Sequence, residues 1–272
     1  MAPSEWAAPR HGTFPDWLRN LEPLTTGLLA HQDMKLWCAG ERAALGIRSG
    51  GVVYPVWLSE ERALGHEAKG LLDRVGTAWC LMGPSAWVNF TEPLMPASRI
   101  LHRVHYEFMA RPAGPLAVPD GRGELRPVEP READTVFPLH EAYEKEEVLF
   151  DPSEFHPVAS RLHWGHLIHR QRLVALWDGG QPLAKAGTNA LTDRWAQIGG
   201  VYTRMDYRRL GLQKRLMAYL VGLLAEEGKG CCLFVKKENG AALGLYRNLG
   251  FESRGDFLIT YGERQSWAAR RP

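Results

Sequence analysis

The sequence has little net charge, few cysteines and no long apolar run. Its 33 Lys and Arg residues nearly balance 31 Asp and Glu residues, which argues against nucleic acid as a partner. The four cysteines form no CxxC pair, which favours reduced thiols over a disulfide framework. No segment approaches the ~18 apolar residues that span a bilayer, and residues 1–14 lack the apolar core of a signal peptide. We therefore expect a soluble cytoplasmic protein with neither nucleic-acid nor membrane partner.

The length and composition suit two domains. With 272 residues and 45% hydrophobic residues, the chain can fill two ordinary cores. The segment Arg111–Gly123 is rich in Pro and Gly and has no periodicity, so it is the best linker candidate. We expect an N-terminal domain at 1–110, a linker at 111–123 and a C-terminal domain at 124–272. The N-terminal domain reads as α+β, with a strand at Gly51–Trp57, a helix at Ser59–Arg74 and an aromatic-rich strand around Trp79–Phe90.

The C-terminal domain mixes strand and helix patterns. Strands are predicted at Glu124–Val128, Leu173–Trp177, Leu183–Ala190, Trp195–Thr203, Cys231–Val235 and Phe257–Tyr261, and helices at Glu132–Leu149, Leu212–Leu224 and Ala241–Leu249. The last helix has a predicted buried stripe of Ala242, Leu245 and Leu249. Between the second and third strands, the residues Asp178–Gln181 (DGGQ) are a strong hairpin signal. The order predicts a mixed α+β fold.

The segment GGVYTRMDYRRLGLQKRL, residues 199–216, combines three devices for binding an anionic, extended ligand. Paired glycines inside a strand indicate a bulge or a close backbone approach. A basic turn with Arg208, Arg209 and Gly211 follows, and a helix N-terminus offers N–H groups to phosphate. Lys214 and Arg215 add positive charge. The plain alternative is a solvated basic turn between a strand and a helix.

A second segment, ENGAALGLYRNLGF at residues 238–251, gives the turn its context. Together the two segments resemble the GNAT (GCN5-related N-acetyltransferase) superfamily. Arg208 and Gly211 match the phosphate loop of that family, whereas Gln213 replaces its last small residue. Asn239 and Tyr246 match the second signature, and the resemblance covers about residues 124 to 262.

The resemblance implies a GNAT fold, with a central mixed, mostly antiparallel twisted sheet that is splayed at the cofactor site. The segments KEEVLFDP (145–152) and LAKAG (183–187) also resemble a subgroup with a degenerate GNAT-like N-terminal half. That half would be the second, smaller α+β domain and would wall one side of the acceptor cleft.

The resemblance also implies a site for acetyl-CoA, with CoA as the product. The main chain of Val201, Tyr202 and Thr203 would bond the pantetheine arm, and a strand amide would stabilise the oxyanion. The pyrophosphate would lie on Arg208, Arg209, Leu210, Gly211, Leu212 and Gln213. Asn239 would contact the cofactor arm, and Tyr246 would be the general acid.

A base must remove the proton of the acceptor amine, and Glu146 and Glu147 are our candidates because the matching helix of the family borders the acceptor site. The plain alternatives are a core tyrosine for Tyr246 and a solvated acidic face for the two glutamates.

His163, His166 and His169 recur every third residue, but no HExxH occurs and we expect no metal.

These observations predict an N-acetyltransferase that acts on a primary amine of a small molecule or peptide, as a monomer or homodimer. The alternative is a non-catalytic acyl-CoA sensor or scaffold in which Gln213 marks a decayed loop. A third possibility is an aminoacyl or peptidyl transferase fed by transfer RNA. Such proteins need a strong basic face, which the balanced charge does not supply.

Overall fold

The computed structural model describes residues 10–11, 14–30, 33–48, 50–59, 62–75, 78–95 and 100–263. Most of the N-terminal stretch in which we expect no signal peptide, including residues 1–9, lies outside the described residues. The strands are β1 (Arg10–His11), β2 (Met34–Ala39), β3 (Ala43–Arg48), β4 (Val52–Trp57), β5 (Cys80–Pro84), β6 (Ile100–Arg111), β7 (Glu124–Pro127), β8 (Leu173–Asp178), β9 (Gln181–Leu191), β10 (Trp195–Thr203), β11 (Gly230–Lys236) and β12 (Glu252–Gly262).

Eight α-helices occur within the described ranges: α1 (Asp16–Arg19), α2 (Thr26–Leu29), α3 (Arg62–Val75), α4 (Ser85–Thr91), α5 (Ala133–Tyr143), α6 (Pro157–Arg170), α7 (Leu212–Glu226) and α8 (Gly240–Asn248). A π-helical turn, Glu144–Val148, continues α5, and short 3₁₀ turns occur at Glu92–Leu94, Pro130–Glu132, Pro152–Glu154 and Met205–Tyr207. None of the helices in the described ranges is long and apolar enough to cross a membrane.

The chain forms two compact units. Unit 1 contains the chain up to Met109, Phe234–Gly240 and the residues from Ser253 onward, and unit 2 contains Ala110–Leu233 and Ala241–Glu252. The units therefore alternate along the sequence, whereas the predicted domains at 1–110 and 124–272 are continuous. Those domain boundaries and the linker stay a prediction about independent folding.

Unit 1 is a mixed sheet with the order β1-β2-β3-β4-β5-β12-β6. The neighbours β2–β3, β3–β4 and β5–β12 are antiparallel, and β4–β5 is parallel. One core of this unit packs α3 on the sheet through Leu64, Ala68 and Leu72. The predicted strand at Gly51–Trp57 is confirmed by β4, and the predicted helix at Ser59–Arg74 is described from Arg62 onward.

The predicted aromatic-rich strand around Trp79–Phe90 is wrong in its second half. Only Cys80–Pro84 is a strand, and a helix, α4, follows at once. Aromatic residues favour strands, but here tertiary contacts decide. Trp57 donates its indole N–H to the Thr91 hydroxyl at 2.7 Å, and its ring contacts Phe90 edge-on at 4.7 Å.

Unit 2 carries the order β11-β10-β9-β8-β7. Three neighbouring pairs are antiparallel and β10–β11 is parallel, which confirms the predicted mixed, mostly antiparallel sheet. Helices α5 and α7 pack on this sheet, and α6 packs on α5. One apolar core joins Val136 and Phe137 of α5 to Trp164 of α6 and to Ala175 and Trp177 of β8.

Local patterns predicted most elements of unit 2 to within a few residues. The hairpin is confirmed, with Gly179 and Gly180 at positive φ between β8 and β9. The predicted helix at Glu132–Leu149 ends as an α-helix at Tyr143, because its last turn is π-helical. The buried stripe predicted for α8 is wrong in part, since Tyr246 and Leu249 are the buried residues. Ala242 and Leu245 are half-buried.

Candidate active site

A bulge interrupts β10, as its paired glycines predict. The antiparallel register between β10 and β9 shifts between Gly199 and Tyr202, so β10 carries an extra residue there. Gly200 lies in the bulge with φ +61°, a left-handed conformation that glycine adopts without strain. A β-carbon at Gly199 would overlap the amide of Asn189. Gly200 therefore requires glycine, whereas a β-carbon at Gly199 would require the exposed Asn189 side chain to move.

The β10–β11 ladder ends just before this bulge. The parallel ladder between β10 and β11 pairs only Trp195–Gln197 with Gly230–Cys232. β10 continues to Thr203, so from Ile198 onward it lies outside that ladder. Backbone groups on the edge of a strand outside its ladder can bond an extended ligand. The ladder ends at the place where the family resemblance predicts the splay.

Two side chains from different elements hold the bulge. Lys185 of β9 is only 3% exposed, and its Nζ donates to the carbonyl oxygen of Gly200 at 2.7 Å. The Gly200 N–H lies close enough to the Tyr143 hydroxyl to lower the pKa of that group. The same Nζ lies 4.6 Å from the ring centre of Tyr143 and 5.7 Å from that of Trp164. We call Tyr143 and Lys185 the Gly200 clamp.

Burial perturbs both groups of the Gly200 clamp. It lowers the pKa of Lys185 to about 7, although the charge of Glu144 acts in the opposite direction. It raises the pKa of Tyr143 to about 12, against the hydrogen bond from Gly200. Sequence reasoning assigned neither residue a role. A single charge inside the apolar run Leu183–Gly187 is the signal that could have found Lys185.

The loop after β10 leads into α7 through an unusual backbone. Arg209 has φ +64°, which is uncommon for a residue with a β-carbon and clusters at functional loops. Gly211 has φ +74° and is the N-cap of α7. No described side chain caps this helix. The first N–H groups of a helix have no intrahelical partner and favour an anion.

A cavity of 440 Å³ adjoins the start of α7. It is lined by Pro119, Asp120, Gly121 and Arg122 and by Tyr207, Leu210, Gly211, Leu212, Lys214 and Arg215. Arg215 donates from Nε to the carbonyl oxygen of Pro119 at 2.9 Å and from Nη1 to that of Arg122. Its guanidinium therefore fixes the segment 119–122 beside the helix. Arg209 and Lys214 are exposed.

Arg208 and Glu146, predicted to have separate roles, are in direct contact. The guanidinium bonds both carboxylate oxygens, with N–O distances of 2.7 and 2.8 Å. Its Nε also donates to the carbonyl oxygen of Thr203 at 3.1 Å, and the Tyr202 hydroxyl donates to Glu146 at 3.0 Å. The hydrogen bond from Arg208 holds the pKa of Glu146 below its ordinary value. About a third of each side chain is exposed, so the pair adds at most about 1 kcal/mol of stability.

Tyr246 lies on the buried side of α8. It is 7% exposed, and its ring meets that of Phe251 at 5.9 Å. Burial raises the pKa of its phenol above the usual range, and the nearby Tyr143 and Glu147 add to this effect. The phenol is therefore protonated at neutral pH, as a proton donor must be. Tyr143 and Glu147 therefore lie close enough to Tyr246 to affect the pKa of its phenol.

The remaining predicted site residues lie in different environments. Val201 is half-buried on β10, Leu210 is 61% exposed, and Gln213 is half-buried in the first turn of α7. Asn239 belongs to unit 1, where its N–H donates to the carbonyl oxygen of Lys236 at 2.9 Å. Its contact with a cofactor stays a prediction.

The three histidines of α6 belong to no metal group among the described residues. The buried histidine nearby is His140 of α5, whose ring stacks on Trp164 at 4.7 Å between ring centres. Burial lowers the pKa of His140, although Glu144 at 3.4 Å acts in the opposite direction. These contacts indicate a packed polar core behind Lys185.

Residues 136–251 match a family model described as the acetyltransferase (GNAT) family. No curated protein matches the chain. Among solved structures, a GCN5-related N-acetyltransferase from Kribbella flavida is 16% identical with a TM-score of 0.62, over 95% of this chain and 100% of that chain. A Drosophila protein is 12% identical with a TM-score of 0.67, over 92% and 88% of the two chains.

A tandem GNAT protein from the clavulanic acid biosynthesis pathway is 13% identical with a TM-score of 0.52, over 96% of this chain and 99% of that chain. Identities this low establish the fold alone. The chain has the GNAT fold, and the part of this chain that aligns with the tandem protein includes the N-terminal half of this chain.

The pKa of Lys185 predicts a pH-dependent stability. Because its folded-state pKa of about 7 lies below the ordinary 10.5, the unfolded chain binds more protons between these values. The contribution of Lys185 to the free energy of unfolding therefore rises with pH from about 7 to 10. We expect Lys185→Met to lose this rise, measured by urea unfolding at a series of pH values. Identical pH dependence in both proteins would contradict the assignment.

Proposed function

We propose that this chain, whose residues 136–251 form a GNAT-family acetyltransferase domain, transfers an acetyl group from acetyl-CoA to a primary amine of a small molecule or peptide. The observation that carries the proposal is the sequence of features in unit 2. A bulged strand leaves its parallel neighbour and leads within a few residues into an uncapped helix N-terminus. A cytoplasmic location and a monomeric or homodimeric state remain part of the proposal.

The chemistry of this region fits both ends of acetyl-CoA. The pantetheine arm carries amides, which the main chain of Val201–Thr203 can bond in the manner of an added strand. The pyrophosphate carries negative charge, which suits the first N–H groups of α7 and the exposed Arg209 and Lys214. These two matches support acetyl-CoA as the donor.

A residue of this chain can be assigned to each step of the transfer. Acetyl-CoA supplies an activated acyl thioester. A β10 amide next to the bulge donates to the carbonyl oxygen as negative charge develops there, an effect worth a few kcal/mol. Tyr246, protonated at neutral pH, donates its proton to the departing sulfur.

The glutamate that accepts the amine proton is Glu147 in this proposal. Glu146 is bonded by Arg208 and Tyr202, and the resulting low pKa makes it a weak base. Glu147 affects the pKa of both Tyr246 and Tyr143, so its charge lies near the proposed acid. Glu146 acts instead on Arg208, whose guanidinium it holds beside β10.

The alternative is a non-catalytic acyl-CoA sensor or scaffold with the same fold. Its basis is Gln213, which lies half-buried in the first turn of α7, where the resembled phosphate loop has a small residue. A sensor would bind acetyl-CoA but would show no thiol release with any amine.

Gly211→Asp tests binding at the start of α7. An aspartate there places negative charge in the proposed pyrophosphate site, so the stabilisation by acetyl-CoA should be lost. In the wild type that stabilisation is about 2.7 kcal/mol at a ligand concentration of 100 Kd, measured as a shift in Tm. The matched control is Gly228→Asp at the other end of α7, because Gly211 and Gly228 share φ +74° and have no atom within 4 Å of a β-carbon. Equal stabilisation of both variants by acetyl-CoA would argue against this site.

Tyr246→Phe tests the proposed acid. Removing the hydroxyl should lower kcat by about 10²–10⁴-fold, the usual contribution of a positioned acid, and leave the Kd for acetyl-CoA unchanged. Thiol release with an amine substrate gives kcat. Tyr219→Phe, a half-buried tyrosine of α7, is the control. Undiminished turnover in Tyr246→Phe would remove this residue from the mechanism.

Glu146→Gln and Glu147→Gln should separate the roles of the two glutamates. Glu147→Gln should lower kcat, because the variant lacks the proposed proton acceptor. Glu146→Gln should keep kcat but tighten CoA binding by up to about fivefold, since Arg208 loses a competing partner worth up to about 1 kcal/mol. A collapse of kcat in Glu146→Gln with normal turnover in Glu147→Gln would reverse the assignment.

A further inference from the structure

A bulge exposes polar backbone groups that an ordinary strand would pair. A buried donor or acceptor without a partner costs about 1–3 kcal/mol, so a stable bulge needs other partners. At Gly200 the carbonyl oxygen accepts from Nζ of Lys185 at 2.7 Å, and the N–H lies near the Tyr143 hydroxyl. The carbonyl group of this residue is therefore satisfied without β11.

Burying Lys185 in this position costs free energy. Lysine is almost never fully buried without a carboxylate partner, because burial removes the hydration of its charge. Its Nζ is directed at the Gly200 carbonyl and packed over the rings of Tyr143 and Trp164. An apolar side chain would fill the same space at a lower cost. An apolar residue would lose the bond to the bulge and the contacts of the amine with the two rings.

Tyr143 connects the bulge to the proposed catalytic glutamates. It is the last residue of α5, directly before the π-helical turn Glu144–Val148 that contains Glu146 and Glu147. π-turns within helices recur at functional sites. Because the Tyr143 hydroxyl lies near the Gly200 N–H, this turn lies beside the β10 bulge.

We propose that Tyr143 and Lys185 are positioning residues that hold the β10 bulge formed before any ligand binds, so that Val201–Thr203 is ready for the pantetheine arm. This inference rests on the proposed function for its ligand. Neither side chain needs to touch a reacting atom, and the gain is a site whose backbone donors are already oriented. Both residues act through the peptide groups of Gly200.

The first test is amide hydrogen exchange of the ligand-free protein. Lys185→Met and Tyr143→Phe should each speed exchange within Ile198–Thr203. The control is Lys229→Met, because Nζ of Lys229 also bonds backbone carbonyls, those of Thr192 and Asp193, at 2.7 and 3.0 Å before the start of β10. This control should leave exchange at the bulge unchanged even if it lowers overall stability.

The second test is the affinity for acetyl-CoA, measured by calorimetry on the same variants. Lys185→Met should raise the Kd about tenfold, which corresponds to 1.4 kcal/mol, and Lys229→Met should not. In turnover assays, the KM for acetyl-CoA should rise while the KM for the amine stays constant. The double variant Tyr143→Phe/Lys185→Met should lose less than the two single losses combined, because both residues hold one peptide.

Unchanged exchange and unchanged Kd in both Lys185→Met and Tyr143→Phe would overturn the inference. If the wild type binds no acetyl-CoA, the proposed function fails, but the exchange experiment still decides whether the Gly200 clamp holds the bulge. If Lys185→Met does not fold, Tyr143→Phe, which removes only one oxygen atom, provides the same comparison.

Discussion

The β10 bulge depends on the bond from the buried Lys185 to the Gly200 carbonyl oxygen, beside which the Tyr143 hydroxyl lies near the Gly200 N–H. β10 is already outside the β11 ladder before the bulge, and past it leads into the loop that starts α7. A strand edge and a helix N-terminus then lie in succession along one stretch of chain. The features assigned to acyl-CoA binding follow from this local departure from regular sheet geometry.

The arginines around the loop between β10 and α7 already bond acceptors within the protein. Arg208 bonds Glu146 and Thr203, and Arg215 bonds the backbone of the segment 119–122. Partly exposed ion pairs are weak, so a pyrophosphate can replace Glu146 at Arg208 at little cost. The N–H donors at the uncapped start of α7 are fixed, and they can bond an anion without exchanging a protein partner for it. We therefore assign the main anion attraction to the helix terminus and a tuning role to the arginines.

Local signals predicted much of unit 2. The bounds predicted for β10, Trp195–Thr203, are those observed, because a glycine pair and flanking turns mark this strand. The helix after Gly211 follows from leucines at helical spacing. The contact of Lys185 with Tyr143 joins residues 42 positions apart in sequence and depends on the packing of α5 against β9. No periodicity reports such a contact. The misassigned helix α4 has the same cause, since the pairing of Trp57 with Thr91 outweighs local aromatic propensity.

The central claim is that acetyl-CoA binds along β10 at the Gly200 bulge. The most direct measurement is a crystal structure of the protein grown with acetyl-CoA. The account predicts pantetheine amides bonded to the main chain of Val201–Thr203 and the pyrophosphate at the N–H groups of Leu212 and Gln213, with the bulge unchanged. Acetyl-CoA bound elsewhere, or a β10 that re-pairs with β11 across Ile198–Thr203, would contradict it.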